Sequence, residues 1–216
     1  MEPIIFFLII IVVGGSALYQ YYFNTENILK RQLKNTPGKK IHEFSSTEEG
    51  KIVGKVALHQ EILNAPLSDR QCVYYKVIVE QKKSRGKSSH WVEIFTDEKA
   101  VDFLVDQNGE RALVKKDFLH GVLERDASYS SGFLNDPSPK LLKYLRQYGV
   151  ESTNVLGFNK TFRYKEGILE LGEEIAIMGQ ASWEDPDPNT GGYKRLVFTG
   201  NGASPVYVSD YKTTLT

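Results

Sequence analysis

Cys72-Val-Tyr-Tyr-Lys-Val-Ile-Val-Glu80 is crowded with β-branched and aromatic residues, and Val73, Tyr75, Val77 and Val79 share one side of a period of two. Such a run suits a pleated, half-buried strand better than a helix. The same signature recurs on both sides of it. Residues 51–58 alternate through Ile52, Val56 and Leu58, with Gly54 interrupting. Residues 81–89 are polar and basic around Gly86, the composition of a hairpin loop, and residues 91–96 supply the return strand. Residues 100–105 and 111–115 flank Asp106-Gln-Asn-Gly109, whose Asn-Gly pair is a strong two-residue turn signal. Residues 162–171, 174–181 and 193–199 read as further strands, with Gly167 and Gly172 marking turns or bulges.

One helix interrupts this pattern. Asp136-Pro-Ser-Pro139 offers a cap and an early proline, Leu141, Leu142 and Leu145 form an apolar stripe, and Gly149 supplies a stop. Residues 127–133, rich in Ser and Tyr, read as a surface loop. The expected body is therefore mainly β, a β-rich α+β domain. It would be an antiparallel sandwich or partly open barrel with one inserted helix.

The first residues differ from all that follow. No charge falls between Glu2 and Glu26, and the apolar run carries Ile4, Phe6, Leu8, Ile11, Val13 and Leu18 before Tyr22. About twenty such residues in a helix span a bilayer core of roughly 30 Å, and tyrosines suit its headgroup boundary. A cleaved signal peptide would want a basic start, and the first cation here is Lys30. The expectation is one N-terminal transmembrane helix over residues 1–23. A basic juxtamembrane linker over 24–50 and the β-rich domain over 51–216 would follow it. Lys30, Arg31, Lys34, Lys39 and Lys40 form a basic collar. By the positive-inside rule they place the larger part in the cytosol, and they could touch anionic lipid.

The chain has 216 residues, 41% hydrophobic and 25% charged, too apolar for a disordered polymer. Its 27 cations and 27 anions cancel, which argues against broad attraction to nucleic acid. The cancellation conceals an asymmetry: residues 24–40 hold five cations and one anion, while 22 cations face 25 anions from Ile41 onward. A single cysteine excludes an internal disulfide and a cysteine-rich zinc site.

Groups that could carry chemistry are sparse. His42, His59, His90 and His120 are scattered, and no P-loop, GxSxG, GxGxxG or HExxH occurs. Asp185-Pro-Asp-Pro-Asn-Thr-Gly-Gly192 alternates oxygens like a calcium loop, but has Thr190 and Leu196 where an EF-hand needs Gly and Glu. Lys82-Lys-Ser-Arg-Gly-Lys87 is the densest basic cluster and reads as a solvated hairpin tip.

Several segments together resemble the GIDE domain, also called the BAM ("beside a membrane") domain. This is the domain of the membrane E3 ubiquitin ligase MULAN, or MAPL, and of prokaryotic relatives. The resemblance is carried by Leu63-Asn-Ala-Pro66-Leu-Ser68-Asp-Arg-Gln-Cys72-Val-Tyr-Tyr75, by Phe103-Leu-Val-Asp106-Gln-Asn-Gly109, and by Tyr164-Lys-Glu166-Gly-Ile-Leu169-Glu-Leu-Gly172-Glu173 with Gly179 beyond. A preceding membrane helix fits the family's layout. Ligase members act through a RING finger, whose zinc ligands one Cys and four His do not supply. The resemblance therefore implies a membrane-anchored, non-catalytic binding or scaffold module, with no cofactor and no metal. Its partners would be the membrane and a protein, not nucleic acid. The alternative is an accessory component of a ubiquitin-like or proteolytic pathway.

Overall fold

The computed structural model describes residues 24–86, 88–132, 135–154, 158–185 and 193–216. Residues 1–23, read above as the anchor, lie outside them. No helix among the described residues is long and apolar enough to cross a membrane.

Asn108 and Gly109 both have positive φ, 56° and 92°, as a type I′ hairpin requires. They join β6 (Phe103–Gln107) to β7 (Glu110–Val114). The Asp106 carboxylate secures the turn, accepting the Gly109 N–H and the Arg111 Nε–H, each at 2.9 Å. Strand β1 (Thr47–Leu58) pairs with β6 through its last residues. Along the rest it pairs with β11 (Glu174–Glu184), from Thr47↔Ser182 to Lys55↔Glu174. Strand β12 (Arg195–Phe198) then pairs with β11 and, in parallel, with β7. The ring β1–β6–β7–β12–β11 is thereby a closed five-stranded barrel, and closure removes sheet edges. Gly54 stands where β1 and β6 crowd: a Cβ there would lie 2.6 Å from the Asp106 carbonyl.

The barrel is filled by the inward residues of each strand, among them Ile52, Val56, Phe103, Val105, Ile175, Ile177 and Phe198. Phe44 plugs one end, edge-on to Phe198 at 5.8 Å, and its carbonyl accepts the Trp183 Nε1–H at 2.9 Å. Residues 176–178 of β11, which pair with β1 on one edge, pair on the other with β13 (Val206–Ser209), which carries β8 (Leu119–Val122) in parallel.

A second sheet has the order β5–β4–β10–β9, built from β4 (Tyr74–Arg85), β5 (Ser88–Ala100), β9 (Ala127–Ser131) and β10 (Phe162–Leu169). The alternation read over residues 72–80 holds for Tyr75, Val77 and Val79, whereas Val73 stands at a bend between two strands and packs in the barrel core. Val77, Val79, Phe162 and Tyr164 point to one face, where helix α2 (Pro139–Gln147) lays down Leu141, Tyr144 and Leu145. Burying one such leucine contributes about 1.5–3 kcal/mol. The Ser138 hydroxyl caps α2, and Gly149 ends it with φ 68°. Tyr74 stitches the two sheets together, its hydroxyl donating to Glu98 and accepting the Gly121 N–H at 2.7 Å.

The structure differs from the sequence reading in several respects. Residues 81–85 continue β4 and 88–90 begin β5, because cross-strand pairs from Gln81↔Val92 to Arg85↔Ser88 extend the ladder to a turn at Gly86. Residues 127–131 form edge strand β9, where Ser and Tyr suffice because β10 supplies the pairing. The sheet is mixed, since the β12–β7 and β13–β8 ladders are parallel. Closure by β12 against β7 makes the barrel complete, neither a sandwich nor partly open. Finally, residues 24–50, read as a linker, hold helix α1 (Thr25–Asn35), a 3-10 turn (Ile41–Glu43) and the start of β1.

Asn24 caps α1 through Oδ1, which accepts the Glu26 N–H at 2.9 Å. Leu33 is fully buried against Ala176 and Met178. The buried Lys51 secures the helix end. Its ammonium donates to the carbonyls of Leu33 at 2.8 Å, Thr214 at 3.2 Å and Thr216 at 2.6 Å. One cation thus satisfies an orphan carbonyl of α1 and ties the last described residues to β1.

Candidate functional site

Tyr164 and Glu166 sit two apart on β10, so both side chains face the covered side of the second sheet. Glu166 is fully buried. Its two carboxylate oxygens accept the backbone N–H groups of Leu67 at 2.8 Å and Ser68 at 3.0 Å. The loop that it holds joins β2 (Leu63–Asn64) to β3 (Gln71–Cys72). Pro66 lies within it, the Ala65 N–H donates to the Arg70 carbonyl at 2.8 Å, and Asp69 takes a left-handed φ of 61°. Lys140 of α2 closes the loop from outside by donating to the Leu67 carbonyl at 2.7 Å and pairing with Asp69. Beneath it Cys72 is buried with Ala65 and Ile168, and Tyr75 packs alongside. Ser68 Oγ is buried without a hydrogen-bond partner among the described residues.

Charges gather at the loop's far edge. Arg70 donates to Glu170 and pairs with Asp126 at 3.4 Å, which holds its guanidinium pKa up. Asp126 also accepts the Ile168 N–H at 2.9 Å, and Glu173 accepts the Glu170 N–H at 2.9 Å. Burial raises Glu173. Asp210, whose carboxylate accepts the Glu124 N–H at 2.7 Å, is pushed up to about 7, by burial first and then by Glu173. Burial, followed by Glu166 and Glu170, pushes the Cys72 thiol up to about 12.

The resemblance residues therefore divide by place. Pro66, Ser68, Cys72, Tyr75 and Glu166 come together around one loop. Tyr164 lies next to it, its hydroxyl 3.4 Å from Ser131 Oγ. Asp106 and Gly109 belong to the barrel hairpin. Gly172, with φ 84°, turns β10 into β11, and its N–H donates to the Val56 carbonyl at 2.8 Å. Gly179 pairs with Gly50 in β11 beneath Val206.

The histidines do not converge. His42 lies 2.9 Å from Glu110 on the barrel surface. Burial lowers the pKa of His59. His90 stands opposite Lys83 on the β4–β5 ribbon, and His120 is 4.0 Å from Glu98. Among the described residues no group of His, Cys, Asp and Glu could hold a metal ion. Asp185 is described and pairs with Lys194 at 3.3 Å, while the rest of the calcium-like loop through Gly192 lies outside the described residues.

Of the basic collar, Lys30 lies over the Tyr211 ring at 3.6 Å and Lys39 pairs with Glu48, while Arg31, Lys34 and Lys40 are exposed. Two polar anchors escaped sequence reading. Lys51 gave no sign that its ammonium is buried. Asp97 accepts the Tyr144 hydroxyl at 2.8 Å in a patch where Phe95 stacks on Tyr148 at 4.2 Å. Compared with protein-family models, curated proteins and solved structures, the chain matches none.

Proposed function

We propose that this chain is a membrane-tethered, non-catalytic binding module of the GIDE kind, presented at the cytosolic surface of its membrane. The observation that carries the reading is the state of Glu166 and Cys72. Both Glu166 oxygens accept backbone amides of one loop, which gives this buried carboxylate a structural task. The Cys72 thiol is buried and stays protonated near neutral pH, whereas a nucleophilic cysteine needs its thiolate. These residues build a rigid loop, which suits presentation of a recognition surface. Asp69 and Arg70 are exposed on that loop.

The tether is supported by the uncharged run between Glu2 and Glu26 and by the docking of α1 on the barrel. A tether raises the effective concentration of a partner on the same membrane. The test is co-purification of the full-length chain from crosslinked membranes, beside an Arg70→Glu variant and a Leu8→Arg/Ile11→Arg variant. The proposal expects one protein partner to be depleted at least tenfold by each change. Equal recovery from all three would overturn it. A ubiquitin-like modifier or ligase as that partner would favour the accessory role that the family resemblance suggests.

A further inference from the structure

Beside the first turn of α1, the second sheet and the segment after β8 leave a cleft of about 130 Å³. Glu26, Lys76, Glu124, Arg125 and Lys165 line it, over a floor that includes Ile78 and Leu123. Lys76 is 3.8 Å from Glu98, and Lys165 pairs with Glu80 at 2.7 Å. The side chains of Glu26, Glu124 and Arg125 make no ion pair among the described residues. Charges of both signs thus line one small cleft without meeting across it.

This lining selects against simple ions. An anion alone would face Glu26 and Glu124, and a cation alone would face Lys76, Arg125 and Lys165. A ligand with both charges fits each side: a guanidinium fork and ammonium groups hold phosphate oxygens, and carboxylates accept ammonium hydrogens. The cationic end can be narrowed further. A quaternary ammonium wants open aromatic faces, but the aromatic side chain in the lining is Tyr211, whose ring already carries Lys30. Carboxylates suit a primary ammonium, which donates hydrogen bonds. We propose that the cleft binds a phosphate ester bearing a primary ammonium group, the phosphoethanolamine class, either free or as a lipid headgroup. Glu26 lies two residues beyond Asn24, so the lipid source rests on the membrane reading given above. The cleft's chemistry does not.

The test titrates full-length chain in maltoside micelles with O-phosphoethanolamine, phosphocholine and ethyl phosphate, following binding by calorimetry. Saturable binding of O-phosphoethanolamine is expected, at least tenfold tighter than the other two. Arg125→Ala and Glu124→Gln should each weaken it tenfold or more, and Arg146→Ala on the outer face of α2 should not. Both test substitutions are exposed, and unchanged unfolding midpoints would confirm folding. No saturable binding, equal binding of ethyl phosphate, or indifference to both substitutions would overturn the proposal.

A second arm uses nanodiscs of phosphatidylethanolamine and phosphatidylcholine in equal parts. Retention of the ethanolamine lipid by the extracted chain, released by O-phosphoethanolamine, identifies the lipid source. Retention of neither lipid together with soluble binding identifies a free ester. Failure of the chain to enter nanodiscs would contradict the tether alone and leave the soluble titration standing.

Discussion

Glu166 places a carboxylate where two backbone amides of the 65–70 loop would otherwise be buried without acceptors. Replacing it by Gln keeps the shape but turns an NH2 group toward one of those N–H donors. Charge-assisted hydrogen bonds contribute about 1.5–3 kcal/mol each, so Glu166→Gln should lower unfolding free energy by about 2–4 kcal/mol in denaturant titration. Cys72 offers a second check. With its thiol buried and pushed up to about 12, the native chain should resist a thiol-disulfide reagent at pH 8, and unfolding should expose one reactive thiol per chain. Asp210 gives a signed pH dependence. Its folded pKa of about 7 lies above the unfolded value of about 4. The folded state therefore holds the extra proton between these values, and Asp210 costs stability as pH rises from 4 through 7. Asp210→Asn should remove that cost, so the stability gap between variant and wild type should widen from pH 5 to pH 8. In the sequence Glu166 is one charged residue among others, following Arg163 and Lys165. Its role was not legible there, because the amides that it holds lie about a hundred residues earlier.

Helix α1 shows what one buried cation does for an element. An eleven-residue helix is marginal alone in water, and Leu33 with the Lys51 ammonium supplies the tertiary support. Lys51→Met keeps the apolar stem and removes three donated hydrogen bonds. Amide exchange over residues 27–35 should then quicken at least tenfold, while exchange in β6 and β7 stays nearly unchanged. The turn of the β6–β7 hairpin was readable, because Asn108-Gly109 states its chemistry locally, but the strand read from Ala100 starts only at Phe103, since Ala100 ends β5. The reach of β4 and β5 through residues 81–90 was not, since Lys, Ser and Gln carry weak strand signals and only the pairing of two polar strands reveals them. β8 and β13, four residues each, were missed for a related reason: their parallel ladder joins segments some ninety residues apart.

At the scale of the whole chain, alternation in the sequence specifies strands but not which edges meet. That is why a closed barrel emerges where an open one or a sandwich was expected. The motif that resembles the GIDE domain gains a physical meaning here: Pro66, Ser68, Cys72, Tyr75 and Glu166 are one packed unit that fixes a surface loop beside a docked helix. We propose that residues 1–23 hold this unit at a membrane. Alkaline carbonate extraction of membranes from cells making the full-length chain tests it most directly, with Leu8→Arg/Ile11→Arg as comparison. The wild-type chain should remain in the membrane pellet, and the double variant should pass largely into the supernatant. Release of the wild-type chain by carbonate to the same extent as the variant would contradict the tether, and with it the reading of this domain as a membrane-surface module.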